Sequence, residues 1–210
     1  MTRFLDWLRD AVRGYMTRVA RLINKLSRGK LTPTMITWTG LLMHIPTAYL
    51  IATGHFLAAA VLLVVFGLFD ALDGALARVQ GRADAAGMLL DATTDRMKEV
   101  MLYVGSAWVL LGMGDPHHAV WAVAACGASL LVSYVKAKGE MAVRARKLTP
   151  NEINRLFSDG FMRFEIRMAI LALGLATHFL YFALVAIAEA AVMTALMRLY
   201  RITNYLRTHA

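Results

Sequence analysis

The sequence predicts an all-α integral membrane protein in which six transmembrane helices follow an amphipathic helix at the N-terminus. Of the 210 residues, 59% are hydrophobic, and they lie in long runs with few charges, as in polytopic membrane proteins. Charges recur every few positions in the first residues, so these residues do not predict a signal peptide. We therefore expect one membrane unit without a separate soluble domain.

Residues 1–30 form the first predicted element, an amphipathic helix. Apolar side chains recur at a spacing of three to four residues from Phe4 to Leu26, and basic side chains such as Arg13 and Arg21 occupy much of the remaining surface. A basic amphipathic helix of this kind lies in the membrane interface. Packing against a neighbouring subunit is the alternative interpretation.

The remaining chain, residues 31–210, is expected to be one transmembrane domain. Turn-forming and polar residues interrupt its apolar runs at 54–55, 80–86, 112–118, 136–167 and 177–178. The predicted spans between these interruptions are 34–53, 56–78, 87–112, 118–137, 162–177 and 179–203.

The net charge of the chain, formally +9 at pH 7, is explained by this topology. With these spans every Lys and Arg falls at one membrane face, and the loops at the opposite face contain none. Basic residues mark the cytoplasmic side, so we expect both termini to be cytoplasmic and the protein to lie in the cell membrane. The charge therefore requires no nucleic-acid partner, because an anionic lipid surface attracts it equally well.

Four aspartates lie near the cytoplasmic ends of the second and third predicted spans: Asp70 and Asp73 on one, Asp91 and Asp95 on the other. Acids beside lipid are costly, so we expect them at the membrane edge, facing protein or a water-filled cavity. A turn through Gly81 would make the two helices antiparallel neighbours and bring the carboxylates together. Such a cluster is repulsive unless cations neutralise it, and its hard oxygen ligands suit two Mg²⁺ or Mn²⁺ ions.

Small residues and one arginine accompany the acids. Gly74 and Ala77 remove side-chain bulk on the face that carries Asp70 and Asp73, and Arg78 can pair with phosphate oxygens. Taken singly, the acids could balance nearby arginines and the small residues could serve helix packing. The ordered spacing of all of them together favours a site for a phosphate-bearing substrate.

The segment from Asp70 to Asp95 resembles the signature of the CDP-alcohol phosphotransferase family, D-x2-D-G-x2-A-R-x8-G-x3-D-x3-D, at every specified position. The segment Thr32–Thr37 also resembles the family, although Thr34 stands where Asn or Asp is common. The resemblance implies transfer of a phosphatidyl-type group, diacyl or archaeal diether, from a CDP-lipid to an alcohol, with release of CMP. It also implies a homodimer.

The resemblance further implies a role for each motif residue. Asp70, Asp73 and Asp91 would ligate metal, and Asp95 would be both a metal ligand and the general base. Two metals can stabilise an in-line displacement at phosphorus, and a carboxylate near the acceptor hydroxyl can take its proton. The residues expected to bind the CDP-lipid are Thr37, Asp70, Asp73, Gly74, Ala77, Arg78 and Gly87.

Basic residues at two later helix ends indicate the acceptor. Lys136 and Lys138 end the fourth predicted span, and Arg163 and Arg167 open the fifth, so together they could bind a phosphate on the acceptor. The stretch Ser133–Lys138 resembles prokaryotic phosphatidylinositol phosphate synthases and their archaeal counterparts, which implies inositol 1-phosphate as the acceptor. Glycerol 3-phosphate is the alternative acceptor, and membrane anchoring alone is the other interpretation of these cations.

A transporter is the alternative from a different functional class. It would need a polar route that continues to the opposite membrane face, whereas the second and third predicted spans become apolar beyond their acids. An enzyme that opens to one side of the membrane therefore fits the sequence better.

Overall fold

The computed structural model describes residues 2–114, 116–144 and 162–208, with side chains described from residue 14 onward and not at 143–144. The described residues form seven helices, and the all-α prediction is confirmed. They are α1 Thr2–Leu26, α2 Pro33–Ala52, α3 Phe56–Gln80, α4 Ala85–Gly112, α5 His118–Arg144, α6 Phe164–Ala176 and α7 Leu180–Thr208. Much of the predicted polar stretch 136–167 and of the predicted apolar face of α1 lies outside the described residues and side chains.

The observed helices follow the predicted spans closely, except that two helices run further at their C-terminal ends. α5 continues to Arg144 and α7 continues to Thr208, beyond the predicted ends at 137 and 203. The predictions ended where the apolar runs end. A helix continues into polar sequence when enough of its residues are good helix formers: Lys, Glu, Met, Ala and Arg occur among residues 138–144 of α5, and Leu and Arg occur among residues 204–208 of α7.

Four of the described helices, α2, α3, α5 and α7, are long and apolar enough to cross a membrane, which makes the chain a multi-pass membrane protein. Large apolar side chains on the outside of these helices are consistent with contact with lipid: Leu57 of α3 and Val123 of α5 are both more than 60% exposed. The other two predicted spans differ from these four. α4 carries charged residues in its first half, and α6 has 13 residues and so spans about 20 Å, less than the hydrocarbon core of about 30 Å.

The chain divides into two compact units, of which the first comprises Met1–Thr47 and Val61–Met101. Its core is apolar: Met16 and Ala20 of α1 pack with Ile36 of α2 and with Ala75 and Leu76 of α3. All five side chains are less than 9% exposed, and this packing fixes the part of α3 that carries the first two acids.

The end of α3 is fixed by a polar side chain as well. Gln80 donates hydrogen bonds to the Leu31 carbonyl, at 2.8 Å, and to Asn24 Oδ1, at 2.9 Å. The chain then reverses at Gly81, whose φ of 64° favours glycine, and enters α4. This reversal turns α4 back along α3.

The second unit comprises Ala48–Ala60 and Leu102–Ala210. Ala128 and Val132 of α5 pack with Ala191 and Ala195 of α7, and Met162 completes this core. The small residues allow the helices to approach closely, as is usual in membrane proteins.

Candidate active site

Three aspartates converge in the first unit. One ligand oxygen from each of Asp70 on α3 and Asp91 and Asp95 on α4 lies within 4.8 Å of the others. The four-residue spacing of Asp91 and Asp95 places them on one helix face, and the reversal at Gly81 turns that face toward Asp70. Three carboxylates at this separation repel one another strongly unless cations are present.

Asp73, the fourth aspartate of the motif, is held by a different element. Its Oδ2 accepts a hydrogen bond of 2.6 Å from the Thr37 hydroxyl of α2, and both residues are 5% exposed. Asp73 is also near enough to Asp70 and Asp91 for their charges to act on it. The hydrogen bond therefore ties α2 to the acidic face of α3 and fixes the orientation of this carboxylate.

The small residues and the arginine of the motif lie along the same segment. A Cβ added to Gly74 would lie 3.6 Å from Nη1 of Arg78, so the exposed guanidinium extends back over this glycine. Gly87 is exposed in the first turn of α4, and its amide donates to Asp84 Oδ1 at 2.7 Å, which caps the helix. Ala77 is half-buried.

The acidic residues fit a divalent metal ion. Oδ2 of Asp70 and Oδ1 of Asp91 are buried atoms that accept no hydrogen bond from the described part of the chain. Carboxylate oxygens are the ligands that Mg²⁺ and Mn²⁺ prefer. A divalent ion would supply the positive charge that these oxygens require.

Sequence reasoning missed Lys98, which lies within this cluster. Its side chain is fully buried at 0% exposure, its Nζ pairs with Asp70, and the distance from Nζ to Asp95 Oδ1 is 3.4 Å. The signal was present in the sequence, because Lys98 follows Asp95 by three residues and so shares its helix face.

Two buried arginines lie in the second unit. Arg167, at 1% exposure, donates from Nη1 to the Met162 carbonyl at 2.7 Å. Arg198 on α7, at 5% exposure, donates from Nη1 to the Val132 carbonyl at 3.4 Å. The Arg198 Nε is buried and makes no hydrogen bond with the described residues.

These arginines form a basic cluster, which we define as Arg163, Arg167 and Arg198. The positive charges of Arg163 and Arg167 both act on Arg198, and only Glu140 among the identified neighbours opposes them. Arg198 was not singled out from the sequence, because there it reads as one of several basic residues near the C-terminus. A buried donor surrounded by like charges is a suitable site for an anion.

The two lysines of α5 diverge. Lys136 Nζ lies 3.9 Å from Oε1 of Glu140, which links it to the neighbourhood of the basic cluster. Lys138 instead lies over the ring of Tyr134, with Nζ 5.9 Å from the ring centroid. Residues two apart on a helix point in nearly opposite directions, so the structure separates these lysines.

The apolar helices and the aspartate cluster together define a class of protein: an all-helical, multi-pass membrane protein with a candidate divalent-metal site. The family model for CDP-alcohol phosphatidyltransferases matches residues 30–200, so the chain belongs to that family. Within the family the chain is similar to phosphatidylinositol phosphate synthases, as the following comparisons show.

The Corynebacterium glutamicum enzyme is 42% identical over 125 residues, which cover 58% of this chain and 56% of that protein. The Mycobacteroides abscessus enzyme is 31% identical over 151 residues, which cover 67% of this chain and 69% of that protein. The aligned part of the chain thus spans little more than half the length of the Corynebacterium relative.

Crystal structures of Mycobacterium tuberculosis phosphatidylinositol phosphate synthase are similar to this structure. The structure with CDP-DAG bound has a TM-score of 0.75 and 27% identity, and the match covers 89% of this chain and 92% of that chain. The structure in complex with manganese and citrate has a TM-score of 0.73 and 26% identity, covering 90% and 88%.

Proposed function

We propose that this protein transfers a phosphatidyl-type group from a CDP-lipid to inositol 1-phosphate, with release of CMP. The observation that carries the proposal is the convergence of Asp70, Asp91 and Asp95 within 4.8 Å on the helices that bear the family motif. The similarity to several phosphatidylinositol phosphate synthases supports this acceptor. The proposed lipid is of the diacyl or the archaeal diether type.

Two divalent ions, Mg²⁺ or Mn²⁺, are the proposed cofactors, held by Asp70, Asp73, Asp91 and Asp95. The manganese in the similar mycobacterial structure supports a divalent ion. When bound, such ions stabilise the negative charge of a pyrophosphate during displacement. Thr37 contributes by fixing Asp73 through its hydrogen bond.

Asp95 is the proposed general base. In the reaction, the acceptor hydroxyl oxygen forms a bond to the β-phosphorus of the CDP-lipid, the bond from that phosphorus to the bridging oxygen breaks, and CMP leaves. Asp95 takes the hydroxyl proton, a role that a carboxylate within hydrogen-bond reach can perform. The proposed CDP-lipid contacts are Thr37, Asp70, Asp73, Gly74, Ala77, Arg78 and Gly87.

The basic cluster is the proposed site for the acceptor phosphate. Arg163 and Arg167 were expected from the sequence, and the buried, underused donor of Arg198 supports adding this residue. Lys136 belongs to the same proposal because it pairs with Glu140, whose charge also acts on Arg198. Lys138 remains a prediction from the sequence. Guanidinium groups suit phosphate because their donors match its oxygens in pairs.

The proposed arrangement in the membrane has six spans. α4 and α6 would join the four apolar helices, with residues 1–30 as a cytoplasmic interfacial helix and residues 31–210 as the transmembrane domain. The absence of Lys and Arg from the loops at the opposite predicted face supports cytoplasmic termini and a cytoplasmic active site in the cell membrane. A homodimer, as implied by the family resemblance, completes the proposal.

An assay with purified protein, CDP-lipid and Mg²⁺ or Mn²⁺ tests the function. Inositol 1-phosphate, glycerol 3-phosphate, inositol and serine are offered separately, and we expect rapid CMP release only with inositol 1-phosphate. Release only with glycerol 3-phosphate would contradict the acceptor and keep the family chemistry. Absence of release with every acceptor would contradict the enzymatic function.

The variant Asp95→Asn tests the base. We expect turnover to fall to background while CDP-lipid binding is substantially retained, because the side chain keeps its size and loses the charge that accepts the proton. Asp84→Asn is the matched control, since Asp84 caps α4 and has no proposed role in proton transfer. Near wild-type turnover in Asp95→Asn would exclude Asp95 as the base.

A further inference from the structure

Lys98 is a buried cation that the family signature does not contain, since the signature ends at Asp95. Its ammonium is fully buried and contacts two of the converging carboxylates, Asp70 directly and Asp95 at 3.4 Å. These contacts come from different helices, because Asp70 lies on α3 and Lys98 lies on α4 with Asp95. Lys98 therefore links the two helices at the centre of the acidic cluster.

The Lys98 ammonium and the clustered carboxylates stabilise each other. A buried ammonium is costly unless anions are close to it, and three carboxylates within 4.8 Å are costly unless cations are close to them. The neighbouring cation, Arg96, pairs with Glu99 and also forms a longer ion pair with the cluster, in which its Nη2 lies 3.8 Å from Asp95 Oδ2. Lys98 thus supplies the closest described positive charge to Asp70.

We propose that Lys98 is a built-in counter-cation of the acidic cluster, which holds Asp70 and Asp95 together in metal-free protein and competes with a divalent ion for these carboxylates. The proposal rests on the metal site of the proposed function and adds a residue that regulates its occupancy. Two opposite effects follow. Lys98 stabilises the metal-free fold, and it weakens metal binding relative to a cluster with no internal cation.

The variant Lys98→Met separates these effects because methionine keeps most of the length and removes the charge. Full-length protein is purified with Mn²⁺, stripped with EDTA and titrated with Mn²⁺ alone, and free Mn²⁺ is counted by electron paramagnetic resonance. We expect Lys98→Met to bind Mn²⁺ at least about tenfold more tightly than wild type and to melt at a lower temperature when metal-free. Saturating Mn²⁺ should narrow the difference in melting temperature.

Two further variants control for charge and for folding. Lys98→Arg keeps a cation and should retain an affinity for Mn²⁺ close to that of wild type. Lys98→Gln replaces Lys98→Met if that variant does not fold, and the same changes in Mn²⁺ affinity and melting temperature are expected of it. Lys30→Met removes a charge from an exposed position outside the cluster and should change neither measurement.

The outcomes distinguish this proposal from the metal site itself. If wild type binds Mn²⁺, and Asp91→Asn weakens that binding, the site stands. Unchanged or weaker Mn²⁺ binding by the uncharged Lys98 variants then overturns the role of Lys98 alone. If wild type binds no Mn²⁺, the metal site of the proposed function fails, and the competition proposed for Lys98 fails with it.

Discussion

Replacement of Arg198 by leucine tests whether the basic cluster is built for an anion or for the fold. Arg198 is 5% exposed, and its Nε has no hydrogen bond among the described residues. Its identified structural bond, from Nη1 to the Val132 carbonyl, is long at 3.4 Å. A structural arginine would be expected to use its donors more fully, so the substitution should affect ligand binding more than stability.

The magnitude follows from these contacts. Loss of the bond to Val132 costs about 0.5–1.5 kcal/mol, as for an ordinary hydrogen bond. The same change removes a buried charge that Arg163 and Arg167 repel, and relief of that repulsion offsets the cost. The net change in the free energy of unfolding should therefore be within about 1 kcal/mol of zero. A charged hydrogen bond to an acceptor phosphate contributes about 1.5–3 kcal/mol, which corresponds to a rise of roughly 10- to 150-fold in the acceptor KM.

The assay measures CMP release at varied inositol 1-phosphate and, separately, at varied CDP-lipid, together with the melting temperature. We expect Arg198→Leu to raise the KM for the acceptor, to leave the KM for the CDP-lipid nearly unchanged, and to keep or raise the melting temperature. Arg201→Leu, one turn further along α7 at an exposed position, is the matched control and should leave both KM values unchanged. A large fall in melting temperature with an unchanged acceptor KM would refute the reasoning and make Arg198 a structural residue.

Two other substitutions test individual contacts in the structure. Thr37→Val removes the hydrogen bond to Asp73, and we expect kcat/KM for the CDP-lipid to fall about tenfold, as for a lost bond to a charged group. Thr39→Val is the control, because it loses only a local bond to its own helix and should have little effect. Equal effects of the two variants would contradict the role of Thr37. Gly105→Ala places a Cβ 2.5 Å from a backbone carbonyl oxygen of α2 and should lower the free energy of unfolding by about 1–3 kcal/mol in a denaturation experiment. Gly127→Ala is its control, because the added Cβ meets no atom within 4 Å. Equal stability of these two variants would show that the helices at Gly105 separate easily.

The sequence predicted the acidic cluster because its geometry is local. Asp91 and Asp95 share a face by spacing alone, and one glycine turn suffices to bring them to Asp70. The contact between Thr37 and Asp73 joins residues 36 positions apart, so the resemblance could mark Thr37 without naming its partner. Contacts of this length depend on how helices pack, which periodicity does not encode.

Charged residues in the last helices were harder to interpret for the same reason. Arg198 lies 66 positions from the Val132 carbonyl that it contacts, and nothing in the surrounding sequence separates it from the exposed Arg201. The break between α6 and α7 was easier to predict, because the polar residues Thr177 and His178 interrupt the apolar run and α6 ends at Ala176.

Each compact unit buries charge that its described side chains compensate incompletely. In the first unit the clustered acids outnumber the described cations near them, Lys98 and Arg96, and Arg96 also pairs with Glu99. In the second unit Arg198 lies among like charges, with Glu140 as the opposing described neighbour. An imbalance of this kind lowers stability until a ligand of the opposite sign binds, so each ligand should stabilise the fold according to its own affinity. Inorganic phosphate should therefore raise the melting temperature of wild type and not that of Arg198→Leu, and Mn²⁺ should raise the melting temperatures of both. Equal stabilisation of both proteins by phosphate would show that Arg198 does not bind it and would contradict an anion site at the basic cluster.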